Sequence, residues 1–191
     1  MAKSTMDERI AAAERRVEDA RKKLADLRRG RPPEEFGDFP LLAGARKPVR
    51  LADLFGARPD LIVVHNMGAG CPYCTLWADG FNGILPHLES RAAFAVVSPD
   101  PPAAQKRFAA RRGWKFRMVS DREGTFTKRA GFVDADGSPW PGVSAFRLAE
   151  DGLILRTGSA PFGPGDPFCP AYHLFGLLDG GPAGWQPRFR Y

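Results

Sequence analysis

Short apolar runs alternate with longer helical segments along the middle of the chain, and this alternation limits the fold more than any other feature. Leu61–Val64 and residues 92–98 are apolar runs of strand length, the pattern of strands buried on both faces. Helix-length segments follow each of them, at about 72–89 and 102–112. Two further runs flank the turn sequence Ala-Glu-Asp-Gly at 149–152 and predict a β-hairpin. The order predicts an α/β domain whose central mixed sheet is flanked by helices.

Weaker patterns complete the predicted layout. A short strand is expected at 116–120, and another near Val49 within an otherwise loop-rich stretch from 34 to 60. A last helix is expected over about 170–178, and the chain beyond it shows no periodicity and is expected to be extended or disordered. We therefore predict three parts: an N-terminal amphipathic helix over 1–31, one domain over 32–179 and a tail over 180–191.

The first thirty residues predict a long, strongly charged helix from Thr5 to about Arg29. Its apolar residues recur at alternating steps of three and four: Ile10, Ala13, Val17, Ala20, Leu24 and Leu27. This is the heptad spacing of a helix that packs along a narrow seam. Gly30 and the two prolines after Arg31 end the helix. Because two of the six seam positions are alanine, we expect packing on the body of the chain or, as a homodimer, against the same helix of a second copy.

Charge and composition exclude several classes of protein. The chain has 191 residues and a formal net charge of +6, of which residues 1–31 contribute +4 from ten basic and six acidic side chains. The remainder is close to neutral, so no broad basic surface for nucleic acid is predicted. No apolar run approaches the roughly 20 residues of a membrane helix. We therefore expect neither nucleic acid nor a membrane as a partner.

Cysteine usage points to a reducing compartment. Three cysteines in 191 residues are too few for a secreted scaffold built on disulfides. The N-terminal residues also lack the apolar segment of a secretory signal peptide. These features predict a cytoplasmic protein, in which a cysteine pair is more often catalytic, redox-sensing or metal-binding than structural.

The strongest chemical signal is the pair Cys71 and Cys74 in the sequence Cys-Pro-Tyr-Cys. The pair follows a predicted strand and a Gly-rich turn and opens a predicted helix, a setting typical of thiol–disulfide exchange. Amide groups at the helix N-terminus favour a thiolate at Cys71, and Pro72 suits the first turn because it has no N–H to leave unpaired. We predict an enzyme in which Cys71 attacks and Cys74 resolves. Its substrates would be disulfides or other oxidised groups of small molecules or proteins, and no cofactor is required.

Three other interpretations of the cysteines stay open. Cys71 and Cys74 have the spacing of metal ligands, and Cys169 with His173 would complete a set for zinc or an iron–sulfur cluster. The pair would also suit a peroxidase-like antioxidant protein of the peroxiredoxin kind. Peroxiredoxins usually carry threonine three residues before the attacking cysteine, however, and Gly68 stands there in this chain. The third is an interaction module whose cysteines do not turn over.

His65 is the candidate for proton transfer. It ends the predicted strand that leads into the cysteine loop, so we expect its imidazole to lie near Cys71 and to assist catalysis. A histidine at the end of a strand is as often structural, and the sequence leaves both roles open.

The region around the cysteines resembles a known family. The run His65–Gly83, with Cys-Pro-Tyr-Cys followed by Thr-Leu-Trp-Ala-Asp-Gly-Phe, is similar to that of the DUF899 family, a thioredoxin-like group of bacterial proteins. Segments 113–116, 141–144 and 171–174 also follow its pattern, whereas residues 121–133 depart from it. The resemblance implies a thioredoxin-like domain and, through that fold, an oxidoreductase.

Overall fold

The structure is a computed structural model that describes residues 4–44 and 47–191. Residues 1–3, with which the predicted N-terminal part begins, lie outside the described residues, as do 45–46 of the predicted loop-rich stretch. The chain divides into two compact units, Met1–Pro33 and Glu34–Tyr191.

The first unit consists of one helix, α1 (Met6–Gly30). Thr5 caps its N-terminus, because the Thr5 hydroxyl accepts the N–H of Glu8 at 3.2 Å while the Glu8 carboxylate accepts the N–H of Thr5 at 2.8 Å. This reciprocal pair satisfies two amide groups that a helix end otherwise leaves unbonded. The N-terminal helix predicted from the seam is confirmed.

The second unit is built on one sheet of eight strands. The strands are β1 (Glu34–Glu35), β2 (Pro40–Ala43), β3 (Lys47–Arg50), β4 (Asp60–His65), β5 (Ala93–Ser98), β6 (Arg117–Ser120), β7 (Gly142–Leu148) and β8 (Ile154–Pro161). The helices are α2 (Pro72–Arg91), α3 (Pro102–Arg112), α4 (Thr125–Arg129) and α5 (Pro170–Phe175), with a 3₁₀ turn at Leu51–Leu54. Within the described parts of the chain, no helix is both long enough and apolar enough to cross a membrane.

Strand β4 lies in the middle of the sheet, whose strand order is β1-β8-β7-β4-β5-β6-β2-β3. Strands β4, β5 and β6 are parallel neighbours, with α2 and α3 as the connections between them. Strand β7 pairs antiparallel with β4, and β8 pairs antiparallel with β7. The predicted mixed sheet with its β-hairpin is therefore observed.

The sheet buries a separate layer of side chains on each face. On one face Val64 of β4 packs with Trp77 and Phe81 of α2. On the other face Val63 belongs to a cluster that includes Phe126 of α4. Successive strand residues point to opposite faces, so a strand between two apolar layers must be apolar at every position. This explains the unbroken apolar run Leu61–Val64 within β4.

The stretch before β4 is more regular than its loop-rich sequence predicts. Strands β2 and β3 form a hairpin in which Leu41 faces Val49, and β2 joins the sheet beside β6 through the single pair Leu42–Ser120. Each of these two strands has four residues and buries one side chain. One buried residue is too few to produce a period-two pattern, so the sequence signalled only the strand at Val49.

The C-terminal part is held by aromatic contacts within the tail and with α5 and α3. The last helix, expected over about 170–178, ends at Phe175, and the tail that follows consists of turns and irregular structure. Trp185 packs edge-on against Phe175 with ring centroids 4.9 Å apart, and Phe189 packs against Phe108 of α3 at 6.1 Å. Aromatic contacts between separate segments leave no periodic pattern in the sequence.

Gly142, at the start of β7, occupies a position that admits no side chain. A Cβ atom there would overlap the Phe132 ring and lie 2.7 Å from the carbonyl oxygen of Ala160, a backbone atom that cannot turn aside.

We expect Gly142→Ala to lower the free energy of unfolding by about 2–3 kcal/mol in urea titrations. Gly158→Ala in β8 is the control, because no atom lies within 4 Å of its added Cβ. The free energy of unfolding of Gly158→Ala should equal that of the wild type or exceed it by up to about 1 kcal/mol. Equal decreases in the two variants would contradict the explanation.

Candidate active site

Cys71 is the N-cap residue of α2, and Cys74 lies in the first turn of that helix. The Sγ atom of Cys71 accepts the backbone N–H of Cys74 at 3.1 Å, the bond that a serine or aspartate oxygen makes in most capped helices. Pro72 occupies the first helical position, where no N–H is required. The sequence Cys-Pro-Tyr-Cys therefore starts the helix and places a sulfur at its positive end.

Two side chains hold the turn that precedes Cys71. The Oδ1 atom of Asn66 accepts the N–H of Gly68 at 2.8 Å, and the carboxylate of Asp100, just after β5, accepts the N–H of Ala69 at 2.8 Å. Gly68 has a φ of +108°, which favours glycine. The turn is thereby tied to the ends of β4 and β5, and Cys71 is positioned beside the carboxyl ends of these central strands.

The two thiols have contrasting environments. Cys71 is partly exposed and Cys74 is buried, and neither forms a disulfide. A hydrogen bond from the Cys74 thiol lowers the pKa of Cys71 to about 7, with further help from the N–H groups of Cys74 and Tyr73 and with partial burial acting in the opposite direction. The same hydrogen bond, together with burial, raises the pKa of Cys74. At pH 7 about half of Cys71 is therefore a partly exposed thiolate, while Cys74 remains a buried thiol.

His65 does not lie beside this pair. Its imidazole is on the face of the sheet opposite α2, stacked between Phe126 and Phe132 with ring centroids 5.4 and 4.1 Å away. Its Nε2 atom lies 2.9 Å from the hydroxyl of Ser144, and its Nδ1 atom has no hydrogen-bond partner among the described residues. The backbone of His65 lies near the cysteine loop because the two are close in the sequence. Successive side chains of β4 point to opposite faces of the sheet, however, and the imidazole points away from the face that α2 covers. This geometry does not support proton transfer to Cys71.

The four residues of the alternative metal site are not assembled. His173 is exposed, and its Nε2 atom lies 2.9 Å from the carbonyl oxygen of Asp166. Cys169 is buried in the cluster that contains Trp77 and Phe162. Within residues 4–44 and 47–191, no three His, Cys, Asp or Glu side chains are grouped so that they could hold a metal ion. The donor set needed for zinc or an iron–sulfur cluster is thus missing from this arrangement.

The segment after β8 packs beside the first turns of α2, which the sequence did not indicate. The Nε1 atom of Trp77 donates to the carboxylate of Asp166 at 3.0 Å, and the indole stacks on Phe162 with centroids 5.6 Å apart. Tyr172 of α5 adjoins Tyr73, the residue between Pro72 and Cys74; burial and this neighbour raise the pKa of Tyr172 to about 12. Contacts between residues 89 positions apart in the chain have no local sequence signature.

Burial makes His65 a source of acid sensitivity. Desolvation, assisted by the charge of Arg156, lowers its pKa to about 3, whereas histidine in an unfolded chain has a pKa of about 6.5. Below about pH 6.5 the unfolded state binds a proton that the folded state excludes. The free energy of unfolding should therefore fall by about 1.4 kcal/mol per pH unit toward pH 3.

Urea unfolding between pH 7 and 4 measures this dependence. We expect His65→Leu to flatten the slope, because the variant has no buried imidazole to exclude a proton. His87→Leu, at an exposed position of α2, is the control and should keep the wild-type slope. A wild-type slope in His65→Leu would show that another group is responsible.

The acidity of Cys71 should depend on the hydrogen bond from the Cys74 thiol. Cys74→Ala removes this donor, so we expect the pKa of Cys71 to rise and its alkylation by iodoacetamide at pH 7 to slow about ten-fold, since a hydrogen bond to a charged group contributes about 1.5 kcal/mol. Cys74→Ser keeps a donor at the same position and should react at nearly the wild-type rate. Rates are measured against pH, with the modified residue located by mass spectrometry. Equal slowing in both variants would rule out the hydrogen bond as the cause.

Solved structures with similar architecture confirm the thioredoxin-like fold. The peroxidoxin BcpB from Mycobacterium tuberculosis is 25% identical, and the match covers 68% of this chain and 84% of BcpB with a TM-score of 0.54. Reduced Prx3 from Vibrio vulnificus, in complex with H₂O₂, matches at 15% identity over 70% of this chain and 88% of its own, with a TM-score of 0.56. A peroxiredoxin-like protein from Aquifex aeolicus matches at 18% identity over 68% and 74%, with a TM-score of 0.54. No curated protein matches the chain.

Family membership follows from the sequence as a whole. The profile of the family described as "Bacterial protein of unknown function (DUF899)" matches residues 4–190, which include α1, the sheet and both cysteines of the pair. The resemblance drawn from the run around the cysteines is confirmed over nearly the full length, and the chain belongs to the DUF899 family.

Proposed function

We propose that this chain is a thiol–disulfide oxidoreductase in which Cys71 attacks an oxidised substrate and Cys74 resolves the intermediate. The observation that carries the proposal is the sulfur of Cys71 at the N-cap of α2, which accepts both the N–H and the thiol proton of Cys74. This arrangement supplies a thiolate near neutral pH and keeps a second sulfur within reach of it. The peroxiredoxin-like neighbours support a redox role in the broad sense.

In the first step the Cys71 thiolate attacks one sulfur of the substrate disulfide. A bond forms between the two sulfurs, the substrate S–S bond breaks, and the other substrate sulfur leaves as a thiolate that takes a proton from solvent. With a pKa of about 7, roughly half of Cys71 is thiolate at pH 7, and a thiolate of this basicity is still a good nucleophile.

Formation of the mixed disulfide removes what keeps Cys74 protonated. The pKa of Cys74 is raised by three causes, the largest first: its hydrogen bond to the Cys71 sulfur, burial, and the negative charge on that sulfur. The hydrogen bond and the charge disappear when Cys71 is covalently bound. Cys74 then loses its proton to solvent, and the N–H of Met67, 3.5 Å from its Sγ, favours the charge. Attack on Cys71 releases the second substrate thiol and leaves a Cys71–Cys74 disulfide. The substrate has gained two electrons, which an external dithiol must return to the protein.

Peroxide reduction is the second candidate, favoured by the similarity to peroxiredoxins. The Cys71 thiolate would attack one oxygen of the peroxide, forming a sulfenic acid and releasing an alcohol or water; Cys74 would then condense with it to give the same disulfide and water. Gly68 replaces the threonine typical of peroxiredoxins, however, and the hydroxyl of Thr75 donates to the carbonyl of Cys71 at 3.0 Å. The pair therefore suits disulfides better than peroxides.

Steady-state turnover with dithiothreitol as the electron donor tests both candidates. We expect the wild type to reduce hydroxyethyl disulfide, and the rate of Cys71→Ser above the direct reaction with dithiothreitol to be at least about 100-fold lower because the nucleophile is absent. Cys74→Ser, incubated with hydroxyethyl disulfide without dithiothreitol, should retain a mixed disulfide at Cys71 that mass spectrometry detects. Cys169→Ala is the control and should remain active, because Cys169 lies outside the pair and burial raises its pKa.

The outcomes separate the alternatives. Faster consumption of hydrogen peroxide than of the disulfide, also lost in Cys71→Ser, would assign the site to peroxide reduction. Unchanged rates in Cys71→Ser would contradict both functions and favour an interaction module whose cysteines do not turn over.

A further inference from the structure

Helix α1 carries an exposed apolar seam. Ile10, Val17, Leu24 and Leu27 expose 50%, 49%, 46% and 64% of their surfaces, and no residue of the helix is buried. Together with two alanines these side chains fill the a and d positions of three heptads, so they form one narrow stripe along the helix.

Charge is distributed unequally around this seam. Over residues 9–29 the e and g positions, which flank the seam, carry five basic side chains and one acidic one: Arg9, Arg16, Arg21, Lys23 and Arg28 against Glu14. The outer b, c and f positions are balanced, with Arg15, Lys22 and Arg29 against Glu18, Asp19 and Asp26. Two ion pairs, Lys22–Glu18 and Arg29–Asp26, lie on that outer face, whereas the flanking positions form none among residues 4–44 and 47–191. The flanks of the seam therefore carry a local charge of +4.

This distribution opposes pairing with a second copy, the homodimer that the apolar spacing suggests. In a parallel pair of helices each g residue faces the e residue five positions later in its partner. Each side of the dimer would contain one attractive pair, Arg9 with Glu14, and two repulsive pairs, Arg16 with Arg21 and Lys23 with Arg28; the two sides together double these numbers. In an antiparallel pair the g positions face one another and the e positions face one another. All three g residues are basic, and two of the three e residues are basic, so repulsive contacts again outnumber attractive ones.

We propose that α1 docks against an amphipathic helix of another protein whose apolar a/d seam is flanked by aspartate or glutamate. Acidic flanks would pair with the five basic side chains that lack partners in α1. A stripe limited to a and d has the width of a coiled-coil seam, whereas helices that lie on membranes present a broader apolar face, usually with aromatic side chains. Helix α1 has no aromatic residue. This inference is independent of the proposed redox function.

Reversing charges tests the seam within the full-length protein. In Arg16→Glu/Lys23→Glu both repulsive pairs of the parallel arrangement become attractive, so we expect this variant to form a dimer, with a two-fold larger mass in sedimentation or light scattering. The wild type should remain monomeric. Arg15→Glu/Lys22→Glu is the matched control, since it changes the net charge equally but on the outer face, and it should also remain monomeric. Far-UV circular dichroism verifies that each variant keeps the helix.

A synthetic helix of the same length tests the partner chemistry. A peptide with Ile and Leu at a and d and Glu at e and g should bind the wild type at least about ten-fold more tightly than the same peptide with Lys at e and g, and added salt should weaken this binding. Any one of three outcomes would overturn the proposal: the wild type is a dimer, the Arg16→Glu/Lys23→Glu variant is a monomer, or the two peptides bind equally well. Binding of the wild type to phosphatidylserine vesicles but not to the acidic peptide would overturn it in favour of a membrane surface.

Discussion

Strand β4 is paired on both sides from Leu61 to His65, in parallel with β5 and antiparallel with β7, and the rest of the domain depends on this pairing. The alternate side chains of β4 fill the two apolar layers, so loss of its register would expose both cores at once. The pairing also fixes the point at which the chain leaves the sheet after His65. The turn that begins there has its own hydrogen bonds, through Asn66 and Asp100, and it delivers Cys71 to the start of α2. The position of the Cys71 sulfur is thus set by the core of the sheet.

At that position one atom combines two roles. The Sγ atom of Cys71 caps α2 by accepting the N–H of Cys74, and it is also the predicted nucleophile. A cap binds best when it carries negative charge, because the helix N-terminus is positive, so the interaction that starts the helix also favours the thiolate. Once Cys71 bonds to another sulfur it loses this charge and caps the helix less well. In the proposed cycle the reduced state therefore favours the capped helix end. Oxidation of Cys71 would weaken the cap in the same turn of the helix that holds Cys74, the residue proposed to attack next.

Sequence patterns predicted the elements that have a long period and missed those fixed by single contacts. Helix α3 was expected over 102–112, where it is observed, and β4 and β5 were evident as apolar runs. Strand β2 and helix α4 escaped prediction, because four or five residues do not establish a period. His65 shows a different limit. Its place at the end of β4 was correct, but the side on which its imidazole lies depends on which face of the sheet α2 covers, and that is decided by the sheet and not by local sequence.

Helix α1 shows how apolar spacing and charge carry different information. The a/d spacing predicts that one stripe of the helix packs against another surface, but it does not identify the protein to which that surface belongs. Three heptads with alanine at Ala13 and Ala20 bury little apolar area, so the net free energy of pairing is small. A parallel pair of copies would contain four repulsive contacts of up to about 0.5 kcal/mol each, offset by two attractive contacts. Because the apolar seam contributes little free energy to pairing, the balance of repulsive and attractive charge contacts decides whether the two helices associate. The flanking charges, and not the apolar residues, therefore select the partner of α1.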